Sequence, residues 1–354
     1  MHKLTDRALH FVYPGTFSPP TLGHFAIVKR AAAICPHLTI VCSTNADKHG
    51  QWFSEGEAVE LWKRYPLPEN VSVRKFDDVA KGEYIMVRGI RDAQDYDDER
   101  RVMEFNHEKF GIAMFTHIIS DAEHKDISSS RVRESASRAD LESLSRMLHP
   151  ALTSYVLERA LGLHNIFLVV GRPGSGKSTL LDRVCAIDKR NVRINTDEFS
   201  DHFKALLRTT FGVEDLVELM RTREEEATKL IGKQWLAMLG ECILACPSDT
   251  NIFVEAAYGL PKRLYRFVGG KIIIVHCDED DNRARIMSRG TPEHLPFVEK
   301  IPPLEESLNI VRSEGLSCIT VNTNRLLAEI DETCYSLNKI VSTVRGKEVF
   351  SCAL

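Results

Sequence analysis

Short runs of aliphatic and β-branched residues alternate along the chain with longer stretches whose apolar residues recur every three or four positions. The first kind reads as buried strand, the second as amphipathic helix. Leu9, Phe11 and Val12 open the first run, and Phe25–Ala33 follows with helical period. Leu38–Ser43 is a short β-branched strand ending in the polar loop Thr44–Gly50. Ser54–Arg64 reads as a helix, with Ser54 as N-cap and Glu57 at the capping-box position. Val71–Phe76, Tyr84–Arg88 and Phe115–Ile119 are strands, and Ser130–Ser137 is a helix. The apolar spacing of Leu141–Leu161 is helical, interrupted at His149–Pro150 and stopped by Gly162. A second series then begins, with strands at Asn165–Val170, Val192–Asn195, Asn251–Glu255, Lys271–His276 and Cys318–Val321. Its helices are Thr179–Ala186, Glu198–Leu207, the long polar-faced Glu214–Ala245 and the closing amphipathic Leu326–Val344. Strands separated by helices predict parallel sheets, so the expectation is an α/β protein of two domains, residues 1–163 and 164–354, each around a central parallel sheet. A chain of 354 residues has length for two cores.

Composition narrows the class. An apolar share of 43% and a charged share of 27% are those of a soluble globular protein. A net charge of −4 provides no broad basic field for nucleic acid. The nine cysteines are scattered without metal-like pairing and read as reduced thiols of a cytoplasmic protein. No apolar run approaches the ~18 residues of a membrane helix, and no secretory apolar segment precedes the first strand. Small-molecule substrates and a cytoplasmic location are therefore expected.

The chemistry begins at Tyr13–His24, Tyr-Pro-Gly-Thr-Phe-Ser-Pro-Pro-Thr-Leu-Gly-His. Prolines and glycine break the strand, and a helix opens near Thr21, so free N–H groups and a helix's positive end face a common cavity suited to phosphate. His24 in the first helical turn reaches the same anion. An ordinary strand-to-helix turn with a surface histidine would show the same dodecamer. Two further stretches decide against that: Val87-Arg88-Gly89-Ile90-Arg91 with Asp95–Glu99, and Ile127-Ser128-Ser129-Ser130 with Val132-Arg133. Together the three resemble, in order, the signatures of the nucleotidyltransferase superfamily in the form of bacterial phosphopantetheine adenylyltransferase, over about residues 9–160. The resemblance implies a Rossmann-like domain that transfers AMP from ATP to a phosphate monoester. By resemblance, Thr16, Lys48 and Arg88 bind the acceptor. Thr16, Phe17, His24, Gly89, Arg91, Glu99 and Ser128–Ser130 bind the nucleotide, and His24, Lys48 and Arg91 are catalytic. Arg88 and Arg91 suit a bidentate clamp on phosphates. The attacking phosphate is already an anion, so no general base is expected, and alignment with Mg²⁺ carries the reaction. Only Asp77–Glu83 separates two strands where the resembled enzymes have a longer helical segment that helps form the pantetheine pocket, and this departure bears on the acceptor. Self-association, if it occurs, is expected through this domain.

The second site is Gly171-Arg-Pro-Gly-Ser-Gly-Lys-Ser178, directly after a strand and before a helix. This is the Walker A spacing in its required context. Gly171, Gly174, Ser175, Gly176 and Thr179 supply the phosphate-wrapping backbone, Lys177 spans the β- and γ-phosphates, and Ser178 is the Mg²⁺ ligand. Asp197, just past the neighbouring strand, is placed to take a proton from an acceptor hydroxyl, with N-capping as its alternative role and Glu255 as the replacement base. Arg285 and Arg289 lie one turn apart on a helix, as an anion-facing lid pair would, with Arg289 acting on the transferred group. Ile-Asn-Thr-Asp-Glu-Phe and Arg-x-x-x-Arg-Gly-Thr are similar to kinase domains of the phage-type polynucleotide kinase group, over about residues 164–345. Dephospho-CoA kinase shares the P-loop and the arginine lid.

The combined expectation is an adenylyltransferase fused to a P-loop kinase, using ATP and Mg²⁺. Coenzyme A synthesis is the economical pairing: AMP transfer to 4′-phosphopantetheine yields dephospho-CoA, whose 3′-hydroxyl the kinase phosphorylates. The alternatives are a nicotinamide mononucleotide adenylyltransferase with a riboside kinase, a nucleic-acid end-repair kinase, and a regulator that senses nucleotide without turnover. Intact Lys177, Asp197, His24 and Arg91 argue against the last.

Overall fold

The strand and helix periods resolve into two parallel sheets, each belonging to its own compact unit. The computed structural model describes residues 10–44, 50–79, 84–90, 100, 103–104, 107, 114–212, 224–256, 263–324, 327–343 and 352–353. One unit comprises Met1–Val132 with Arg146–His149, and the other Arg133–Ser145 with Pro150–Leu354.

The first unit holds β1 (His10–Gly15), β2 (Leu38–Cys42), β3 (Val71–Lys75), β4 (Tyr84–Ile90) and β5 (Met114–Ile119) in the order β3-β2-β1-β4-β5, every pair parallel. Helices α1 (Leu22–Ile34) and α2 (Glu55–Trp62) connect β1 to β2 and β2 to β3. Ser54 caps α2 through the capping box with Glu57. From β3, at the edge, the chain must cross back past β2 and β1 to reach β4 within residues 76–83. Three interstrand spacings and one strand length put the ends ~22 Å apart, whereas eight residues in a single helix would cover only ~12 Å. The described part is a 3₁₀ turn, Phe76–Asp78, and Val79, which packs on Val12, Val41 and Met86. Eight residues are therefore too few to make this crossing as one helix.

In the second unit α3 (Ser129–Ser137, which begins in the first), α4 (Leu141–Met147) and α5 (Thr153–Leu161) lead to the sheet. Pro150 starts a 3₁₀ turn between α4 and α5, and Gly162, left-handed at φ 66°, closes α5. Strands β6 (Asn165–Val170), β7 (Asn191–Asn195), β8 (Asn251–Glu255), β9 (Lys271–His276), β10 (Ser317–Asn322) and β11 (Cys352–Ala353) pair in parallel in the order β11-β10-β9-β6-β8-β7. Helices α6 (Lys177–Ile187), α7 (Ser200–Phe211), α8 (Glu224–Leu244), α9 (Tyr265–Val268), α10 (Glu279–Ser288), α11 (Leu295–Lys300), α12 (Leu304–Ser313) and α13 (Leu327–Thr343) surround it. Every residue of central β6 is buried. Phe167 and Val169 meet Leu180, Leu181 and Val184 of α6 and Cys334, Leu337 and Val341 of α13. No helix among the described residues is long and apolar enough to cross a membrane.

At the opposite edge of that core the strands begin with polar side chains. Asn165, Asn251 and Asn191 stand opposite one another in register. Asn165 donates to Asn251 Oδ1 at 3.0 Å, Asn251 to Asn191 Oδ1 at 2.9 Å, and Asn191 to the Val184 carbonyl at 2.9 Å. Lys271, 1% exposed, donates to Asn165 Oδ1 and to both carboxylate oxygens of Glu158 at 2.6–2.8 Å. Removing one partner of such a pair leaves a buried charge uncompensated, at a cost of about 3–5 kcal/mol. Lys271→Met should therefore lower the stability of the second unit by that order in urea unfolding, and adding Glu158→Gln should restore part of it.

Candidate active sites

In the first unit the loop after β1 is held by aromatic packing. Phe17 adopts φ 41° and is 3% exposed, with ring centroids 5.4 Å from Tyr13, 5.2 Å from Trp62 and 5.2 Å from His24. A bulky side chain in the left-handed region costs on the order of 1–3 kcal/mol, so the surrounding contacts must offset it. Trp52 and Phe53 donate their N–H groups to Ser18 Oγ, Ser129 donates to the Pro19 carbonyl at 2.8 Å, and Tyr65 to the Pro20 carbonyl. The loop then enters α1 through a capping box in which histidine stands where glutamate is usual: the Thr21 N–H donates to His24 Nδ1 at 3.1 Å, and the His24 N–H to Thr21 Oγ1 at 3.3 Å. An Nδ1 that accepts leaves the proton of a neutral imidazole on Nε2, which becomes a donor for an anion.

Arg88 of β4 donates to the Pro14 carbonyl at 3.2 Å, at the end of β1. A Cβ on Gly89 would sit 3.0 Å from Ile27 Cγ1, so this glycine's visible role is to let α1 close onto the sheet. Ser128 and Ser129 carry structural bonds: Ser128 Oγ accepts the Arg131 N–H at the start of α3, and Ser129 holds the loop. Capping occupies an acceptor of Ser128 and leaves its O–H as a donor. Thr16 is half-buried beside Phe17. Lys48, Arg91 and Glu99 lie outside the described residues.

In the second unit the P-loop follows β6. Gly171 has φ 153° and a Cβ there would meet the Val275 carbonyl oxygen at 2.2 Å, while Gly176, at φ 89°, forms the N-cap of α6. Only glycine satisfies both demands. Gly174 and Ser175 are buried within the loop, and Thr179 is exposed on α6. Lys177 is buried and donates to the Gly171 and Arg172 carbonyls at 2.9 and 3.1 Å. Burial pushes its pKa down, Glu255 and Asp197 oppose that, and the Arg289 charge reinforces it. Ser178 donates to Glu255 Oε1 at 2.8 Å, and Glu255 is 4% exposed. Asp197 sits in a 3₁₀ turn, Thr196–Phe199, and α7 starts only at Ser200 with Phe199 at the N-cap; Asp197 therefore does not cap that helix. The residue is at the surface, yet desolvation of its carboxyl by close neighbours raises its pKa, against the pull of Lys177. Arg289, exposed at the end of α10, is near enough to Lys177 to repel it. Arg285 meets the chain itself. Its guanidinium donates to Thr323 Oγ1 and to the Thr323 carbonyl, and Thr323 in turn donates to the Ser175 carbonyl at 2.6 Å, so Arg285 braces the P-loop from outside.

The family model described as Cytidylyltransferase-like matches residues 12–135. The phosphopantetheine adenylyltransferase of Rhodospirillum centenum is 36% identical over 135 residues, which cover 35% of this chain and 73% of that protein. The chain belongs to the cytidylyltransferase-like family. That of Oenococcus oeni is 31% identical over 131 residues, covering 35% of this chain and 83% of the relative. A solved structure of NadR protein in complex with NR aligns over 95% of this chain and 86% of its own at 14% identity, with a TM-score of 0.30.

Three groups of the P-loop site escaped the motif reading or were only its second choice. Glu255 was legible as a carboxylate ending an apolar strand next to the P-loop strand. Arg193 and Thr323 carry no motif, and only pairing across strands brings them in. In the cytidylyltransferase-like unit, the capping geometry makes a sharp expectation. Neutral His24 should show the Nε2-protonated tautomer in long-range ¹H–¹⁵N correlation spectra, and Thr21→Ala, which removes only the hydroxyl half of the cap, should keep that tautomer while costing about 1 kcal/mol in thermal unfolding.

Proposed function

We propose that the protein is a bifunctional transferase. The cytidylyltransferase-like unit transfers AMP from ATP to a phosphate monoester, and the second unit transfers the γ-phosphoryl group of ATP to a hydroxyl. The observation that carries the first activity is the His24 capping box, which aims a neutral donor from the start of α1 at the loop of Thr16 and Phe17. An acceptor phosphate oxygen attacks the α-phosphorus, the α–β anhydride bond breaks, and pyrophosphate leaves. Charge on the α-phosphoryl oxygens is stabilised by His24, with Lys48 and Arg91, while Arg88 and Thr16 hold the acceptor and Ser128–Ser130 and Glu99 the nucleotide.

The second activity rests on the P-loop with Lys177, and on two carboxylates, Asp197 and Glu255, at the same sheet edge. Asp197 accepts the proton as the acceptor oxygen bonds to the γ-phosphorus and the bond to the β-phosphate oxygen breaks, leaving ADP. Its raised pKa suits a base. Arg289 offers its charge to the transferred group. Ser178 and Glu255 form an oxygen donor set that fits a hard divalent cation, which as Mg²⁺ would offset charge on the β- and γ-phosphates.

For the acceptors we favour 4′-phosphopantetheine, supported by the names of the 31–36% identical relatives of the first unit, and then the 3′-hydroxyl of the dephospho-CoA it would yield. One observation favours nicotinamide mononucleotide with a riboside kinase instead: residues 76–83 are too few to make their crossing as one helix, whereas a helical segment helps form the pantetheine pocket of the resembled enzymes. Profiling the purified chain with ATP against both phosphate monoesters, dephospho-CoA, nicotinamide riboside and 5′-hydroxyl DNA tests all of this. His24→Ala should abolish adenylyl transfer and leave phosphorylation intact, and Lys177→Ala should do the reverse. A thousandfold preference for nicotinamide mononucleotide in kcat/KM, about 4 kcal/mol, would overturn the coenzyme A pairing.

The Asp197 environment sets a pH dependence. A base works only when deprotonated, and a raised pKa moves its loss on acidification to higher pH. The acid limb of kinase kcat/KM should therefore lie above the ordinary aspartate value of about 3.9. Asp197→Asn should lower the rate by ~10²-fold or more and remove that limb.

A further inference from the structure

Beyond the P-loop itself, four side chains close a ring between α6 and the sheet. Ser178 and Asp182 lie four residues apart on α6 and so share a face. Ser178 donates to Glu255 Oε1 at 2.8 Å, Arg193 Nε donates to Glu255 Oε2 at 2.6 Å, and an Arg193 terminal nitrogen donates to Asp182 Oδ1 at 2.6 Å. The strands supply the reach. Asn195 pairs with Glu255, and Arg193, two residues earlier on β7, projects from the same face toward α6. Thr196 also donates to the Glu255 carbonyl at 2.8 Å, fixing the backbone behind the carboxylate.

We propose that Arg193 is a positioning residue of the phosphoryl-transfer site, which holds the buried Glu255 carboxylate in the orientation that keeps the Ser178 hydroxyl pointed at it. The proposal rests on the kinase reading of this unit. Its physical content is a competition. Glu255 has a second cation nearby, Lys177, which feels its charge. With Arg193 bound to Oε2, Oε1 stays on Ser178, the Ser178 proton is committed to that bond, and the lone pairs of Ser178 Oγ remain for a cation. Without Arg193, the carboxylate loses its bond at Oε2 and is drawn toward the Lys177 ammonium, taking the Ser178 hydroxyl out of orientation. Burial works against the Arg193 charge, and Glu255 and Asp182 outweigh it, so the guanidinium is firmly cationic.

The test uses the full chain and Mn²⁺ as the probe, with metal binding in the presence of ADP read by electron paramagnetic resonance. Arg193→Met should weaken Mn²⁺ in the ADP complex by about 10–100-fold, as removal of a ligand's supporting partner does elsewhere. Kinase kcat should fall about as much, with the KM for ATP changing less than about threefold. Arg193→Lys should recover part of the Mn²⁺ affinity by restoring charge without the planar fork. Should Arg193→Met fail to fold, Asp182→Asn, at an exposed position, should give a smaller weakening in the same direction. Unchanged Mn²⁺ affinity in the ADP complex of folded Arg193→Met, or of Asp182→Asn where the first does not fold, would overturn the proposal and leave the kinase reading standing. A wild-type chain that binds neither ADP nor Mn²⁺–ADP would overturn both.

Discussion

Hydrogen bonds among buried asparagine side chains at the start of three adjacent strands fix the geometry on which the P-loop site depends. Asn165, Asn251 and Asn191 each donate to a partner, and a slip of one residue in any strand would leave buried amides unpaired at about 1–3 kcal/mol each. Lys271 extends the row by gripping Asn165 and Glu158. The three strands that start from this line have five or six residues, so they also end together, at Val170, Asn195 and Glu255. Three residues assigned to the proposed phosphoryl-transfer site follow within a residue or two of those ends: Gly171, Asp197 and Glu255 itself. A polar network at one edge of the sheet thereby aligns the residues of the proposed site at the other.

The cytidylyltransferase-like unit reaches the same kind of edge by different means. Its loop after β1 is fixed by an aromatic cluster around Phe17, whose left-handed backbone is held by packing on Tyr13, Trp62 and His24. Ser18 and Pro19 are then tied by hydrogen bonds from Trp52, Phe53 and Ser129. The helix cap does double duty, because the same Thr21 N–H that would otherwise be unsatisfied at a helix start orients the His24 ring. A glutamate at N3 would serve the helix as well but would place a negative charge beside the phosphate proposed to bind there.

Strand and helix positions were legible because both sheets are parallel and covered by helices, which gives long apolar runs and clean helical periods. The capping box at Ser54, the break at Pro150 and the stop at Gly162 were readable as local chemistry. The P-loop and the Pro-Gly-Thr-Phe segment were legible because phosphate chemistry demands fixed residue types at fixed spacing. What escaped was non-local. The capping role considered for Asp197 assumed that a helix begins directly after β7, whereas a 3₁₀ turn intervenes. Arg285 had the spacing of a lid residue, but the choice between facing a ligand and facing Thr323 depends on where β10 ends, which no helical pattern encodes. Arg193 acquires meaning only when β7 pairs with β8.

The two sites differ as the reactions proposed for them require. An acceptor phosphate arrives already ionised, and a carboxylate next to it would repel both substrates. Of the residues assigned to the first site, Thr16, Phe17, His24, Lys48, Arg88, Gly89, Arg91, Glu99 and Ser128–Ser130, one is acidic, Glu99, and it is assigned to the nucleotide and not to the acceptor. A hydroxyl acceptor must lose a proton, and a cation must balance the phosphates, so acidic groups become useful. The second site has two of them, and their surroundings separate their tasks: Glu255 is buried and committed to Ser178 and Arg193, while Asp197 stands at the surface beside Lys177 with its pKa raised by desolvation. A carboxylate with both oxygens engaged is a poor proton acceptor and a good anchor. One beside a lysine, with its pKa raised by desolvation, is better suited to take a proton. The proposed roles, base for Asp197 and anchor for Glu255, agree with the surroundings of each carboxylate and do not depend on the identity of the acceptor.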